Sequence, residues 1–181
     1  MALTYTPPGE LGFLLPTFTL QSVDAKEFHS GDFKSARALV VLFICNHCPY
    51  VQAIEDRMIA LAKDLQPKGA QFLGICSNDS SEYPEDHPAA LRKRWSEKAY
   101  GFPYLVDETQ EVAKQFSAVC TPDIFVFDQE QKLAYRGRFD DSWRDSSKVQ
   151  KQELRIAIEA ILQGQTVPKA IPSMGCSIKW K

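Results

Sequence analysis

Ala38-Leu39-Val40-Val41-Leu42-Phe43-Ile44-Cys45-Asn46-His47-Cys48-Pro49-Tyr50-Val51 is the stretch on which the reading of this 181-residue chain turns. Its first seven residues are all apolar and several are β-branched, the pattern of a strand buried on both faces. A Cys-x-x-Cys pair follows at once, and beyond it Val51, Ile54, Met58, Leu61 and Leu65 recur at helical spacing. The pattern predicts a strand, a turn carrying a dithiol, and a helix. Pro49 fits only in the first turn of that helix, where the missing N–H has no intrahelical partner anyway. Lys68-Gly69 ends the helix, and Ala70 to Cys76 predicts a second buried strand.

A dithiol at a strand-to-helix turn points to reversible thiol–disulfide chemistry. Only a thiolate attacks a disulfide or a peroxide, and a free cysteine is mostly protonated at neutral pH. The expectation is that Cys45 lies at the helix N-terminus, where unpaired N–H groups favour an anion, with His47 beside it as donor or positive charge. Cys48, one turn into the helix, would be the more buried sulfur and would displace whatever Cys45 captures. The alternative is half of a zinc site, which needs two further ligands, usually a second close pair. Cys76, Cys120 and Cys176 are single, and His29 and His87 are isolated, so no metal and no cofactor is expected.

The length suits a single domain over residues 1–181, with a core of about 35–163 and an extended tail from 164 to 181. A formal charge of −2 gives no reason to expect nucleic acid, and no span is long and apolar enough for a membrane. Met1 to Gly12 lacks the basic start and apolar run of a secretory signal. A cytoplasmic, reducing setting is therefore expected, where a close cysteine pair is catalytic or metal-binding rather than a permanent staple. The odd count of five cysteines also argues against a disulfide framework.

Phe18-Thr19-Leu20 and the stretch to Phe28 predict a short hairpin, and Asn78 to Pro88 a polar loop. Ala89 to Tyr100, Glu108 to Phe116 and Val149 to Leu162 predict helices. Phe102 to Val106 predicts a strand, and Ile124 to Phe127 with Leu133 to Arg136 a hairpin. The basic run Arg92-Lys93-Arg94 reads as a solvated face and Arg136 and Arg138 as a surface charge cluster. His29 and His87 read as solvated. The first half requires a parallel strand pair with a right-handed crossover, and the second closes the sheet with antiparallel pairing. The result is an α/β fold with a mixed central sheet flanked by helices.

Cys120-Thr121-Pro122-Asp123 is the second informative piece. Thr121-Pro122 opens a strand either with an ordinary trans bond or with a cis bond that presents the Thr121 backbone to an extended peptide or a second disulfide. Two readings of Cys176 also stand: a third thiol, brought near the dithiol by Ile178 and Trp180, or an incidental cysteine in a packed arm. Cys120 approaches Cys45 or is simply buried.

Taken together, these motifs resemble the thioredoxin-like superfamily in its peroxiredoxin-like, AhpC/TSA-type redoxin branch. The resemblance is carried by Leu39–Ile44, the motif from Cys45 to Val51, Tyr104-Leu105-Val106-Asp107-Glu108-Thr109, Cys120-Thr121-Pro122 with Ile124 to Asp128, and Gly175-Cys176-Ser177-Ile178-Lys179-Trp180. It implies a thioredoxin fold with an N-terminal β-hairpin extension and a helical insertion at about 78–100. It also implies Cys45 as nucleophile, Cys48 as resolver and Pro122 as a cis proline facing them, with Asn46, His47 and Thr121 in support.

The chain departs from the family pattern in two places. Ile44 stands where thioredoxins carry Trp. The threonine that peroxiredoxins place three residues before their reactive cysteine is Leu42 relative to Cys45, and Cys45 itself relative to Cys48. Disulfide exchange or reduction, in an antioxidant role, is therefore the first expectation. It needs a disulfide-containing protein or small-molecule substrate and an external thiol reductant. An atypical thiol peroxidase and a non-enzymatic redox sensor or binding protein are the alternatives.

Overall fold

The apolar run at 38–44 becomes the centre of the sheet. The computed structural model describes residues 3–181. Its elements are β1 (Leu3–Tyr5), β2 (Thr19–Ser22), β3 (Glu27–His29), β4 (Ala38–Phe43), α1 (Pro49–Leu65), β5 (Ala70–Cys76), α2 (Pro88–Glu97), β6 (Tyr104–Val106), α3 (Glu111–Gln115), β7 (Cys120–Thr121), β8 (Asp123–Asp128), β9 (Leu133–Arg136), α4 (Glu153–Leu162) and β10 (Met174–Ser177). Seven strands form one mixed sheet in the order β3-β2-β6-β5-β4-β8-β9, and a small second sheet runs β1-β10-β7. Strands β4, β5 and β6 are parallel neighbours, whereas β8 returns antiparallel to β4.

Alternation along β4 sorts the core into two layers. Ala38, Val40 and Leu42 point to the face covered by Val51, Ile54, Met58, Leu61 and Leu65 of α1, Leu91 of α2, and Leu154, Ala157 and Ile158 of α4. Leu39, Val41 and Phe43 point to the other face, with Val112 and Ala113 of α3. There Phe43, Phe116 and Phe125 meet edge to face at centroid distances of 5.3–5.8 Å, within the range such pairs prefer. Helices thus cover both faces, in a thioredoxin-like arrangement with the predicted N-terminal hairpin (β2–β3) and helical insertion (α2). No described helix is long and apolar enough to cross a membrane.

Several local expectations shift for identifiable reasons. The chain after α1 runs on through a short 3-10 turn to Gly69, whose φ of 103° is the left-handed stop that glycine accepts readily. Helix α4 begins at Glu153 rather than Val149, because Asp145 caps a separate 3-10 turn over Ser146–Lys148. The tail, expected to be merely extended, contributes β10, which sits between β1 and β7.

The charged residues are more structural than their sequence context suggests. Arg94 is not on a free solvated face. It forks onto Glu55 of α1 at 2.7 and 2.8 Å, and Tyr100 donates to the same carboxylate at 2.6 Å. Arg136 is buried rather than on a surface cluster. It grips Asp123 through two bonds of 3.1 and 2.8 Å and donates to the Ser117 carbonyl. Arg138 pairs with Glu153. His87 is exposed, as expected, and its ring also accepts from Ala89 N–H as the N-cap of α2.

Candidate active site

The dithiol loop joins the C-terminal end of β4 to α1, and the cap geometry places its two sulfurs differently from expectation. Cys48 is the N-cap residue of α1, not a residue one turn inside it, and Pro49 opens the first turn. The unpaired N–H groups of a helix start therefore act on Cys48, not on Cys45.

Thr121 lies against both sulfurs. Its hydroxyl is 3.3 Å from Cys45 Sγ, while its carbonyl accepts the Cys48 thiol at 2.9 Å. The Thr121–Pro122 bond is cis. Opposite Thr121 in the β10–β7 ladder stands Cys176. Cys45 and Cys176 are each 2% exposed and Cys48 is 0% exposed. Cys45, Cys48, His47, Thr121, Pro122 and Cys176 thus gather in one place, with Asn46 tied beside them. Cys120 is buried, with its thiol toward the Pro122 carbonyl at 3.6 Å, and Cys76 is core.

The two thiols differ in acidity. Cys48 is lowered to about 5, first by the hydrogen bond from Cys45, then by Thr121 and the N–H groups of Cys176 and Val51, against the opposing effect of burial. Cys45 is pushed well up, by burial first, then by its bond to Cys48 and the negative charge of Asp86. The expectation of a readily ionised Cys45 is therefore reversed in direction: Cys48, at the helix start, is the more acidic of the two sulfurs.

Asp86 was not singled out from the sequence. Its carboxylate accepts from Asn46 N at 2.8 Å, His47 N at 3.2 Å, His47 Nδ1 at 2.6 Å and Asn78 Nδ2 at 2.8 Å. It comes from the polar segment read as a plain loop, inside the 3-10 turn Pro84–Asp86. Burial pushes this carboxyl up, but the His47 and Asn78 bonds outweigh that and hold it below the usual range. The only sequence hint was an acidic residue fixed between two prolines. Asn46 is tied to the insertion as well, donating to the Ala90 carbonyl at 3.1 Å. The His47 ring stacks on Tyr83 with centroids 4.5 Å apart.

Cys45, His47 and Asp86 present metal-ligand atoms within 4.8 Å of one another. Both Asp86 oxygens are already occupied by N–H donors, two of them from His47, while the other ring nitrogen, His47 Nε2, is buried without a hydrogen-bond partner among the described residues. A cavity of about 310 Å³ opens beside Pro122, walled by Tyr50, Phe139, Trp143 and Met174 and by the charged Arg138 and Asp140.

Residues 11–136 match the AhpC/TSA family. The chain belongs to that family. A search of curated proteins gives no match. Among solved structures, this AhpC/TSA protein is similar to an uncharacterized conserved protein from Geobacillus kaustophilus, with 45% identity, a TM-score of 0.95, and coverage of 100% of this chain and 97% of that one. A hypothetical protein from Sinorhizobium meliloti 1021 is 38% identical, with a TM-score of 0.94 and 98% coverage of each chain. The thioredoxin domain of a thiol-disulfide oxidoreductase from Bacteroides vulgatus is 18% identical, with a TM-score of 0.58, over 70% of this chain and 86% of that one. The last similarity is one of fold. Family and fold together place this AhpC/TSA protein among thiol-based redox proteins.

Proposed function

We propose that the protein is a thiol–disulfide oxidoreductase in which Cys45 captures a substrate disulfide and Cys48 resolves it. The observation that carries this reading is a Cys-x-x-Cys dithiol at the start of α1, with Thr121 of the cis Thr121–Pro122 bond touching both sulfurs. Both sulfurs are buried in this state; Cys45 lies in the loop before the helix whereas Cys48 caps it, which supports Cys45 as the sulfur that meets substrate.

The Cys48 thiolate takes the Cys45 proton as Cys45 attacks the substrate disulfide. A Cys45–substrate bond forms and one substrate thiolate leaves. The new Cys48 S–H rests on the Thr121 carbonyl, and the Thr121 hydroxyl supports negative charge on Cys45. Cys48 then loses that proton to the departing thiolate and attacks Cys45. This forms the Cys45–Cys48 disulfide as the Cys45–substrate bond breaks, and the second substrate sulfur leaves as a thiolate that takes its proton from water. An external dithiol restores the reduced pair. The substrate is a disulfide-bearing protein or small molecule, and the cavity beside Pro122 supports a substrate with an apolar group next to its disulfide.

The test is a Cys48→Ser variant incubated with a disulfide-bonded model peptide. The expected result is a stable mixed disulfide at Cys45. Capture of nothing, or capture at another cysteine, contradicts the roles. A second reading, a thiol peroxidase, is favoured by the Thr121 hydroxyl 3.3 Å from Cys45. Peroxide consumption with the same thiol donor separates it.

A further inference from the structure

Strand β10 lies where the proposed chemistry takes place. It pairs with β7 so that Cys176 stands opposite Thr121 and Ser177 opposite Cys120. Gly175 packs directly on the cis peptide: a Cβ there would fall 2.0 Å from the Thr121 oxygen and 3.1 Å from Pro122 N. The strand is fastened on every side. Its other edge carries β1, with Leu3 opposite Cys176. Ser173 Oγ donates to the Pro122 carbonyl at 3.0 Å, and Ile178 N donates to the Val119 carbonyl at 3.1 Å. Lys179 N donates to Asn78 Oδ1 at 2.9 Å, and Asn78 in turn donates to Asp86. Cys176 is therefore delivered to a fixed position by an ordered strand. It lies in the same packed cluster as Cys45 and Cys48, and the residue opposite it, Thr121, contacts both of their sulfurs.

Building on the oxidoreductase reading, we propose that Cys176 is a third redox-active thiol which takes over the disulfide from Cys45, so that the oxidised protein interconverts between Cys45–Cys48 and Cys48–Cys176 forms. The Cys176 thiolate attacks Cys48 Sγ. The Cys48–Cys176 bond forms as the Cys45–Cys48 bond breaks, and Cys45 leaves as a thiolate that picks up the proton Cys176 released. The number of thiols and disulfides is unchanged, so no outside oxidant is needed. Cys48 sits against the carbonyl of Thr121, the residue opposite Cys176 in the ladder, which makes it the atom attacked. In the reduced protein Cys176 is pushed up to about 12, by burial first and then by the charge and hydrogen bond of Cys48. Both effects of Cys48 vanish once it is in a disulfide. The outcome is an oxidised protein whose Cys45 is again a free thiol.

The experiment oxidises the reduced protein with one equivalent of diamide. It then blocks remaining thiols with N-ethylmaleimide in denaturant and maps cross-linked tryptic peptides by mass spectrometry. The expected result is a peptide pair joined through Cys48 and Cys176 within one chain, with Cys45 carrying maleimide in those molecules. In a Cys176→Ser variant, Cys45 labelling is lost from the oxidised fraction. Oxidised wild type in which Cys176 is always labelled, or in which the cross-link joins two chains, overturns the proposal. The wild-type readout does not depend on the variant folding. If the Cys176→Ser variant, folded, forms no Cys45–Cys48 disulfide either, the oxidoreductase reading itself fails, which is a different result from absence of the Cys176 cross-link alone.

Discussion

The proximity of the two thiols, Cys45 and Cys48, separates their acidities. Because the Cys45 S–H is the largest influence lowering Cys48, a Cys45→Ala variant is expected to move thiolate formation at Cys48 to higher pH. Ultraviolet thiolate absorbance in the reduced wild type should rise around pH 5, and in the variant it should rise later. A wild-type rise only in the ordinary cysteine range would refute that separation. Asp86 acts on the other sulfur. Its charge raises Cys45, so Asp86→Asn is expected to shift maleimide labelling of Cys45 to lower pH. It should also destabilise the protein by about 1–3 kcal/mol through the weakened loop bonds. Labelling that is unchanged would remove Asp86 from the electrostatics of the site. The cysteine motif, His47, Thr121 and Pro122 were legible because their identities and spacing carry the chemistry. Asp86 was not, because it reaches the loop only through the fold of the insertion. The reversal of acidity between the two cysteines was hidden for a related reason: it depends on which of them caps the helix, a one-turn difference that periodicity does not resolve.

At the scale of elements, the insertion and the tail are what brace the dithiol loop. Glu55 on α1 and Arg94 on α2 hold the insertion to the active-site helix. Burial pushes Glu55 up, but bonds from Arg94 and Tyr100 outweigh it and hold the carboxyl below its usual value. Its contribution to stability is therefore complete above the ordinary carboxylate range and is lost as pH falls through its lowered folded value. Wild type should lose more stability on acidification toward pH 3 than a Glu55→Gln variant does, as read by denaturant midpoints. Parallel losses would refute the coupling. Gly175 is a second element-scale test. With no room for a Cβ against the Thr121 carbonyl, Gly175→Ala should cost about 1–3 kcal/mol and lift β10. Faster labelling of Cys48 by a thiol reagent would report the displacement. Strands β4, β5 and β8 were legible because each carries a dense apolar stretch: all of β4, Phe72 to Cys76 in β5 and Ile124 to Phe127 in β8. Strand β10 was not: Met174-Gly175-Cys176-Ser177 has no alternation, and it is a strand only because β1 and β7 flank it.

Across the whole molecule, the same mixed sheet that buries two aromatic and aliphatic layers also brings residues 45, 86, 121 and 176 to one end. The sequence separation of these four explains why the dithiol was visible from the outset while its surroundings were not. The alternation of β4 between two faces, and helices covering both, followed from pattern alone. The buried Arg136–Asp123 pair did not, since an arginine beside Gly137 and Arg138 looks like surface until Asp123 and the Phe125 ring, 4.5 Å from the guanidinium, are placed under it. Removing one partner of such a pair leaves an uncompensated buried charge, which costs about 3–5 kcal/mol.

The central claim is that Cys45 and Cys48 act together on a substrate disulfide. Its most direct measurement is the initial rate of insulin-disulfide reduction with a dithiol donor, for wild type, Cys45→Ser and Cys48→Ser. The expected result is wild-type turnover well above the donor alone, with both variants falling by on the order of a hundredfold or more toward that background, since residues acting as one unit fail together. A wild-type rate equal to that of the donor alone, or a Cys45→Ser variant that keeps the wild-type rate, would contradict it.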